Sequence, residues 1–326
     1  VLTPREIKSK EMIPPRLMVK MNIAGAFSLF KVLLTSLGTI KAMKAAKVET
    51  VYLQPTRPYT LPTSLPSDIP HATQKYLRLT LFCDSEAPLV HALAKQLGAG
   101  QKTPWEFAQA AFEFTKRNIT LEVIPMDDVV PTLERGTGTC IHKISVFIAL
   151  CRAAGIPGRY KFFALTMLDA WMEPAMTRAP LMKKWYDAMG LFLLHGEGEV
   201  YIDGKWIPAD VGAEPTRQAN SGMPITKLGE DSIGLWLFPI PGTMFRRESI
   251  PLGLGLPSRL LMDYLVPSSV VGINAGIMEQ IRNGERIIRE AGGEQAYDAL
   301  ARKKRRQQAP RADLQAHDSI VFENEK

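Results

Sequence analysis

A cysteine in the first turn of a helix sits where unsatisfied backbone N–H groups and the positive end of the helix dipole stabilise a thiolate. Residues 136–160, GTGTCIHKISVFIALCRAAGIPGRY, put Cys140 in that position. The glycine–threonine loop before it offers Thr139 or Thr137 as the cap. The apolar run closes at Gly155, a natural C′ residue, and Ile156-Pro157 cannot continue it. Ile144, Ile148 and Cys151 share one helix face, so Cys151 is expected in the core. His142 is two residues from Cys140, a spacing that points helical side chains apart, and a base for the thiol must come from elsewhere.

A hairpin offers one. Residues 191–212, LFLLHGEGEVYIDGKWIPADVG, read as two strands joined at Asp203-Gly204. A two-residue turn there pairs Ile202 with Lys205. His195 then opposes Gly212, and Asp210 lies diagonally on the same face, roughly 7–8 Å away. Such a pair lets a carboxylate fix the tautomer of an imidazole and support its charged form. Trp206 shares that face and is expected to shield the pair from water. A lone strand histidine is commonly structural. Its aspartate and its place downstream of a helix-start cysteine single out His195. An odd-length turn would break the parity.

The elements that must position these residues follow from patterning. Residues 54–70, QPTRPYTLPTSLPSDIP, read as an extended linker or wrapping strand. Two helical patterns span His71 to about Arg117, the second opened by Thr103 as N-cap and Pro104 at the first helical position. "ITLEVIP" and "RYKFFAL" read as strands, and a helix-like run spans Ile273–Arg302. Near the start, Ile23, Phe27, Phe30, Leu34 and Leu37 recur at helical spacing within Met18–Ile40. That stripe predicts an amphipathic helix packed on the protein's own core, with membrane-surface contact as the other reading. Lys20, Lys31 and the polar residues around them make the stretch too polar for a spanning segment.

Composition is that of an ordinary globular protein, 46% apolar and 22% charged over 326 residues. Three cysteines give no disulfide framework and point to a reducing compartment or to chemistry at one of them, with a cytoplasmic location as the expectation. The net charge of +7 favours acidic partners. Part of it is the tract Arg302–Arg306, in a polar tail read as solvated rather than nucleic-acid binding. No RNA-binding aromatic motif, zinc-finger spacing or phosphate-loop signature accompanies the tract, and neither cofactor nor metal is called for.

"GTGTC" with "ALCRAAGIPGRY", then "HGEGEVYIDGKWIPAD", resembles the core of the transglutaminase-like superfamily. "KTPWEFAQAAFEFTKRNI" is similar to the helix preceding that family's cysteine. The resemblance implies an α+β, papain-like core with a helix-start cysteine and an antiparallel sheet, extended by helices at both ends. It implies Cys140 as nucleophile, His195 as base and Asp210 as its orienting partner. The expected organisation is a helix and proline-rich wrapping segment over 1–70, the catalytic core over 71–215, an apolar and helical extension over 216–302, and the basic tail over 303–326. One departure is Glu197, where the family commonly has an aromatic residue two after the histidine. In the hairpin register Glu197 opposes Asp210, so the two repel unless solvated, protonated or bonded to a donor, or unless the hairpin is bulged.

Such a triad implies covalent acyl transfer through a Cys140 thioester. The acceptor is open: water gives a peptidase or amidase, an amine gives an amide, and a carbanion gives a ring. The amphipathic N-terminal helix and the apolar stretches "SIGLWLFPIPGTMF" and "LPSRLLMDYLV" either roof the site for a long apolar acyl chain or simply complete the core. In overall layout the chain resembles the transglutaminase-like Dieckmann cyclases, which release carrier-bound polyketide–peptide chains as tetramate rings. That resemblance implies an acidic acyl carrier (thiolation) domain as partner. A cysteine hydrolase or amide-forming acyltransferase with the same triad is the alternative, and a non-catalytic binding scaffold is the remaining reading.

Overall fold

The computed structural model describes residues 15–45, 57–166, 180–189, 192–232, 238–239, 244–250, 259, 262 and 267–308. In chain order its elements are α1 (Pro15–Thr35), α2 (Leu37–Ala45), α3 (Pro88–Leu97), α4 (Pro104–Asn118), β1 (Thr120–Leu121), α5 (Val129–Arg135), β2 (Thr137–Gly138) and α6 (Cys140–Ala153). There follow β3 (Gly158–Thr166), α7 (Pro180–Met189), β4 (Phe192–Ile202), β5 (Lys205–Ala209), α8 (Pro215–Asn220), β6 (Phe238–Pro239), β7 (Phe245–Arg247), α9 (Pro267–Glu290) and α10 (Glu294–Gln308). The architecture is α+β, with an antiparallel sheet ordered β5-β4-β3-β6 and β7 also pairing with β3. A short parallel pair, β1 with β2, precedes α6.

Local chemistry sets the central helices. Thr103 caps α4 by accepting from the Glu106 N–H while Glu106 returns a bond to Thr103, and Pro104 opens the first turn. At the far end of α6, Gly155 has φ +79°, its N–H bonds the Arg152 carbonyl, and the Ile156 N–H bonds the Cys151 carbonyl. That is a Schellman closure. The helix lies along the sheet because β4 alternates. Gly196 and Gly198 fall on one face, and a Cβ on Gly198 would stand 2.9 Å from the Phe147 ring of α6. Phe147, Ile148, Tyr160, Phe162, Val200 and Ala209 close the core between helix and sheet. Cys151 is buried there, as its helix face requires.

Several readings change. The first helix after His71 starts only at Pro88. The run expected over 273–302 is two helices, broken at Gly292 and Gly293, whose φ values of +88° and +112° favour glycine. The basic tract begins inside α10, which continues to Gln308. Most of "SIGLWLFPIPGTMF" and "LPSRLLMDYLV" lies outside the described residues, and so does the polar stretch after 308.

The N-terminal stripe is turned around. Val32, Ser36 and Ile40 face inward, with Ile40 against Leu181 of α7 and Ser36 accepting a bond from Lys184. Ile23, Phe27, Phe30, Leu34 and Leu37 are instead 51–68% exposed. The segment rides on α7, and its stripe neither enters the core nor roofs the sheet. No helix among the described residues is long and apolar enough to cross a membrane.

Candidate active site

Cys140 is the first residue of α6, and Thr139 is the cap. The Thr139 hydroxyl accepts from the His142 N–H at 3.4 Å, and His142 Nδ1 accepts from the Thr139 N–H at 3.1 Å. Histidine here takes the part usually played by Glu or Gln in a capping box. Its Nε2 lies 3.1 Å from the Asp127 carboxylate, so His142 is a buried structural residue that orders the loop before the thiol. Cys140 is half-buried, whereas Cys83 and Cys151 are buried.

The hairpin has the register its turn requires. Asp203 and Gly204 have φ of +49° and +77°, and Ile202 pairs with Lys205, Tyr201 with Trp206 and Gly198 with Ala209. Past Ala209 the ladder stops, and the Val211 N–H bonds back to the Ala209 carbonyl. The next residues bring Asp210 and Gly212 to the start of α6. A Cβ on Gly212 would stand 3.2 Å from Cys140 Cβ, 3.4 Å from His195 Cε1 and 3.6 Å from Asp210 Oδ1. The three side chains picked from sequence spacing therefore converge on one glycine, and a Cβ there would crowd Cys140 while touching the other two at ordinary contact distance. The expected shield, Trp206, is elsewhere: it stacks under Arg159 at 3.8 Å near the hairpin tip. The ring beside His195 belongs to its cross-strand partner Phe163, 5.5 Å away.

Burial sets the protonation states. It pushes the Cys140 thiol up to about 11, outweighing the Ile141 N–H, Arg217 and Lys143, all of which favour the thiolate. It drives the His195 imidazole down to about 4, although Asp210 favours the charged ring; Arg217 opposes it. The helix start thus acts in the expected direction and is overruled. At neutral pH the resting pair is a thiol and a neutral imidazole.

Asp210 is held by residues that spacing did not reveal. Its Oδ1 accepts from the Gly212 N–H at 3.2 Å, its Oδ2 accepts from Thr226 Oγ1 at 3.1 Å, and its carbonyl accepts from Lys116 Nζ at 2.8 Å. Lys116 and Gln218 both donate to the Thr226 hydroxyl, which leaves that hydroxyl's proton for Asp210. Lys143 bonds Glu214 at 3.0 Å, and Glu214 also accepts from the Leu121 N–H. Arg217 of α8 donates to Gln280 at 3.1 Å and raises the local positive potential at Cys140 and His195. Lys143 carried one usable signal, its i+3 spacing from Cys140 on one helix face; Arg217, Gln218 and Thr226 carried none.

Glu197 finds its donors on the other side. Its cross-strand partner on β3 is Lys161, which bonds it, and Ser232 donates to it through N–H and hydroxyl at 3.2 and 2.6 Å. Glu197 and Asp231 hold Lys161 up at about 12 against its burial, so it stays an ammonium. Bonding to donors is realised, with no bulge in the β4–β5 ladder, and burial also raises the Glu197 carboxyl to about 7, which favours its protonated form.

Residues 91–211 match the model of the transglutaminase-like superfamily. No curated protein matches the chain. A crystal structure of a proposed cysteine protease from Cytophaga hutchinsonii is similar at 23% identity and a TM-score of 0.31, over 42% of this chain and 40% of that one. The chain thus spans less than half of that protein's length. The matched segment runs from within α3 to just past β5 and contains Cys140, His195 and Asp210, while Gly212, Gln218 and Thr226 lie beyond its end. The stretch of this chain that is similar to the transglutaminase-like superfamily is thus the one that carries the candidate thiol, imidazole and carboxylate.

Proposed function

We propose that the protein catalyses acyl transfer through a Cys140 thioester, with His195 as the base and Asp210 as its orienting partner. The convergence of Cys140, His195 and Asp210 around Gly212 carries this reading. In the first step neutral His195 takes the thiol proton as Cys140 Sγ attacks the acyl carbonyl. The leaving group departs with that proton, and the chain stays on sulfur. The oxyanion forms beside the α6 N-terminus, where the Cys140 N–H and the positive potential of Arg217 and Lys143 favour negative charge.

For the acyl group, the reading is a long apolar chain. Cys140 packs against the cluster of Leu121, Ile273, Ile277 and Ile281, so α9 supplies an apolar wall at the nucleophile. For the acceptor, we propose a carbanion. His195 removes the proton between two carbonyls of the bound chain, and the carbon attacks the thioester. The ring closes as a tetramate by Dieckmann cyclisation, and Cys140 sulfur recovers its proton from His195. The basic net charge of +7 suits delivery by an acidic carrier domain. An acyl-peptide thioester mimic, followed by mass spectrometry, tests both levels. A Cys140 adduct with cyclic product supports the full reading, and free acid or amide moves it to the hydrolase or amide-forming class. Substantial turnover by Cys140→Ala overturns the covalent route altogether.

A further inference from the structure

We propose that α1 and α2 form a docking strip for an anionic membrane surface, a role separate from the acyl-transfer site. Ile23, Phe27, Phe30, Leu34 and Leu37 lie along one side of these helices and are 51–68% exposed, while Val32 and Ser36 on the other side are buried. At 1.5 Å per residue the strip is roughly 20 Å long. Large apolar side chains on a protein surface are usually scattered singly, and an aligned row with two phenylalanines at its centre marks an interaction site.

Charge indicates the occupant. From Met12 to Val48 the sequence has Arg16, Lys20, Lys31, Lys41, Lys44 and Lys47 and no Asp or Glu, although the flanking residues are Glu11 and Glu49. Lys31 and Lys41 are exposed beside the apolar row. A second copy laid strip on strip would set cations against cations, with no Asp or Glu between Met12 and Val48 to offset them. A bilayer with anionic headgroups accepts both parts, the apolar row into the acyl boundary and the lysines at the headgroups, where their stems lie along the apolar surface. One helix face presents a ridge, which suits a fluid interface that needs no complementary groove.

The test is co-sedimentation of the 326-residue chain with vesicles of phosphatidylcholine alone or mixed with phosphatidylglycerol, with no readout of catalysis. The chain is expected to pellet with the anionic vesicles, to bind neutral ones far less, and to be released by high salt. Phe27→Ser with Phe30→Ser should weaken binding by on the order of 100-fold without changing circular dichroism, since both side chains lie outside the core. Lys31→Glu with Lys41→Glu, both at exposed positions, should remove the preference for anionic lipid even if the phenylalanine variant folds poorly. Failure of the parent chain to bind anionic vesicles overturns the proposal. So does a lipid-independent dimer or an acidic-protein complex that the phenylalanine variant dissolves while vesicle binding is absent.

Discussion

Burial drives Cys140 and His195 apart in proton affinity, the thiol upward and the imidazole downward. Thiolate at neutral pH is therefore scarce until substrate arrives, and reactivity should follow the thiolate fraction. Alkylation of Cys140 by iodoacetamide is expected to keep rising between about pH 6 and pH 9, roughly tenfold per unit. A rate already flat through neutrality would mean a preformed thiolate–imidazolium pair and contradict the assignment of neutral partners. Gly212 supplies a steric test of the same cluster. Gly212→Ala adds a methyl 3.2 Å from Cys140 Cβ, so turnover should fall by roughly tenfold or more while the melting temperature stays close to the parent's. Unchanged turnover would show that the three groups do not act from the positions they occupy around this glycine. Asp210→Asn should be severe but milder than Cys140→Ala, because an amide can present the wrong group to the ring.

Three elements build the site, and the third is the least conspicuous. The start of α6 supplies the thiol, β4 and the turn after β5 supply the imidazole and carboxylate, and α8 stabilises the carboxylate through Gln218, which bonds Thr226 in the segment that follows. The position of α8 depends on α9. A Cβ on Gly284 would stand 1.7 Å from the Thr216 carbonyl oxygen, which is backbone and cannot swing aside. Gly284→Ala should push α8 off α9, costing roughly 3 kcal/mol of stability and lowering turnover through the Asp210 supports. Denaturant melts and steady-state rates measure both effects. A variant with parent-like stability would mean that the two helices separate freely at this crossing.

For the molecule as a whole, buried imidazoles make acid the vulnerable side. Burial holds both His142 and His195 below the ordinary 6.5, the latter at about 4. As pH falls from 6.5 toward 4, the unfolded chain takes up protons that these folded sites refuse, so stability is lost across that window. His195 alone accounts for roughly 3 kcal/mol of the loss. Urea melts between those pH values should show the decline, and His195→Gln should flatten much of it. A stability constant over the window would contradict the assignment of His195 as a buried neutral ring.

The sequence by itself determined what local rules govern. A threonine before an apolar helix places a cysteine at the first turn, and an Asp-Gly turn of two residues sets the parity of a hairpin, so Cys140, His195 and Asp210 could be chosen without coordinates. The stretch 54–70 reads as an extended linker or wrapping strand, and within it Tyr59 bonds the Leu133 carbonyl and packs on Phe114. What depends on partners distant in the chain was left to tertiary structure. Lys161 answers Glu197 across β3, and Thr226 answers Asp210 from past α8, neither spacing having a period to reveal it. Helical periodicity located the N-terminal stripe but not the side on which it would lie, because α1 can bury either Val32 and Ser36 or the phenylalanines, and packing on α7 decided it. The proton affinities of the site were decided last of all, since a helix terminus acts through its nearest N–H groups while desolvation acts from every direction at once.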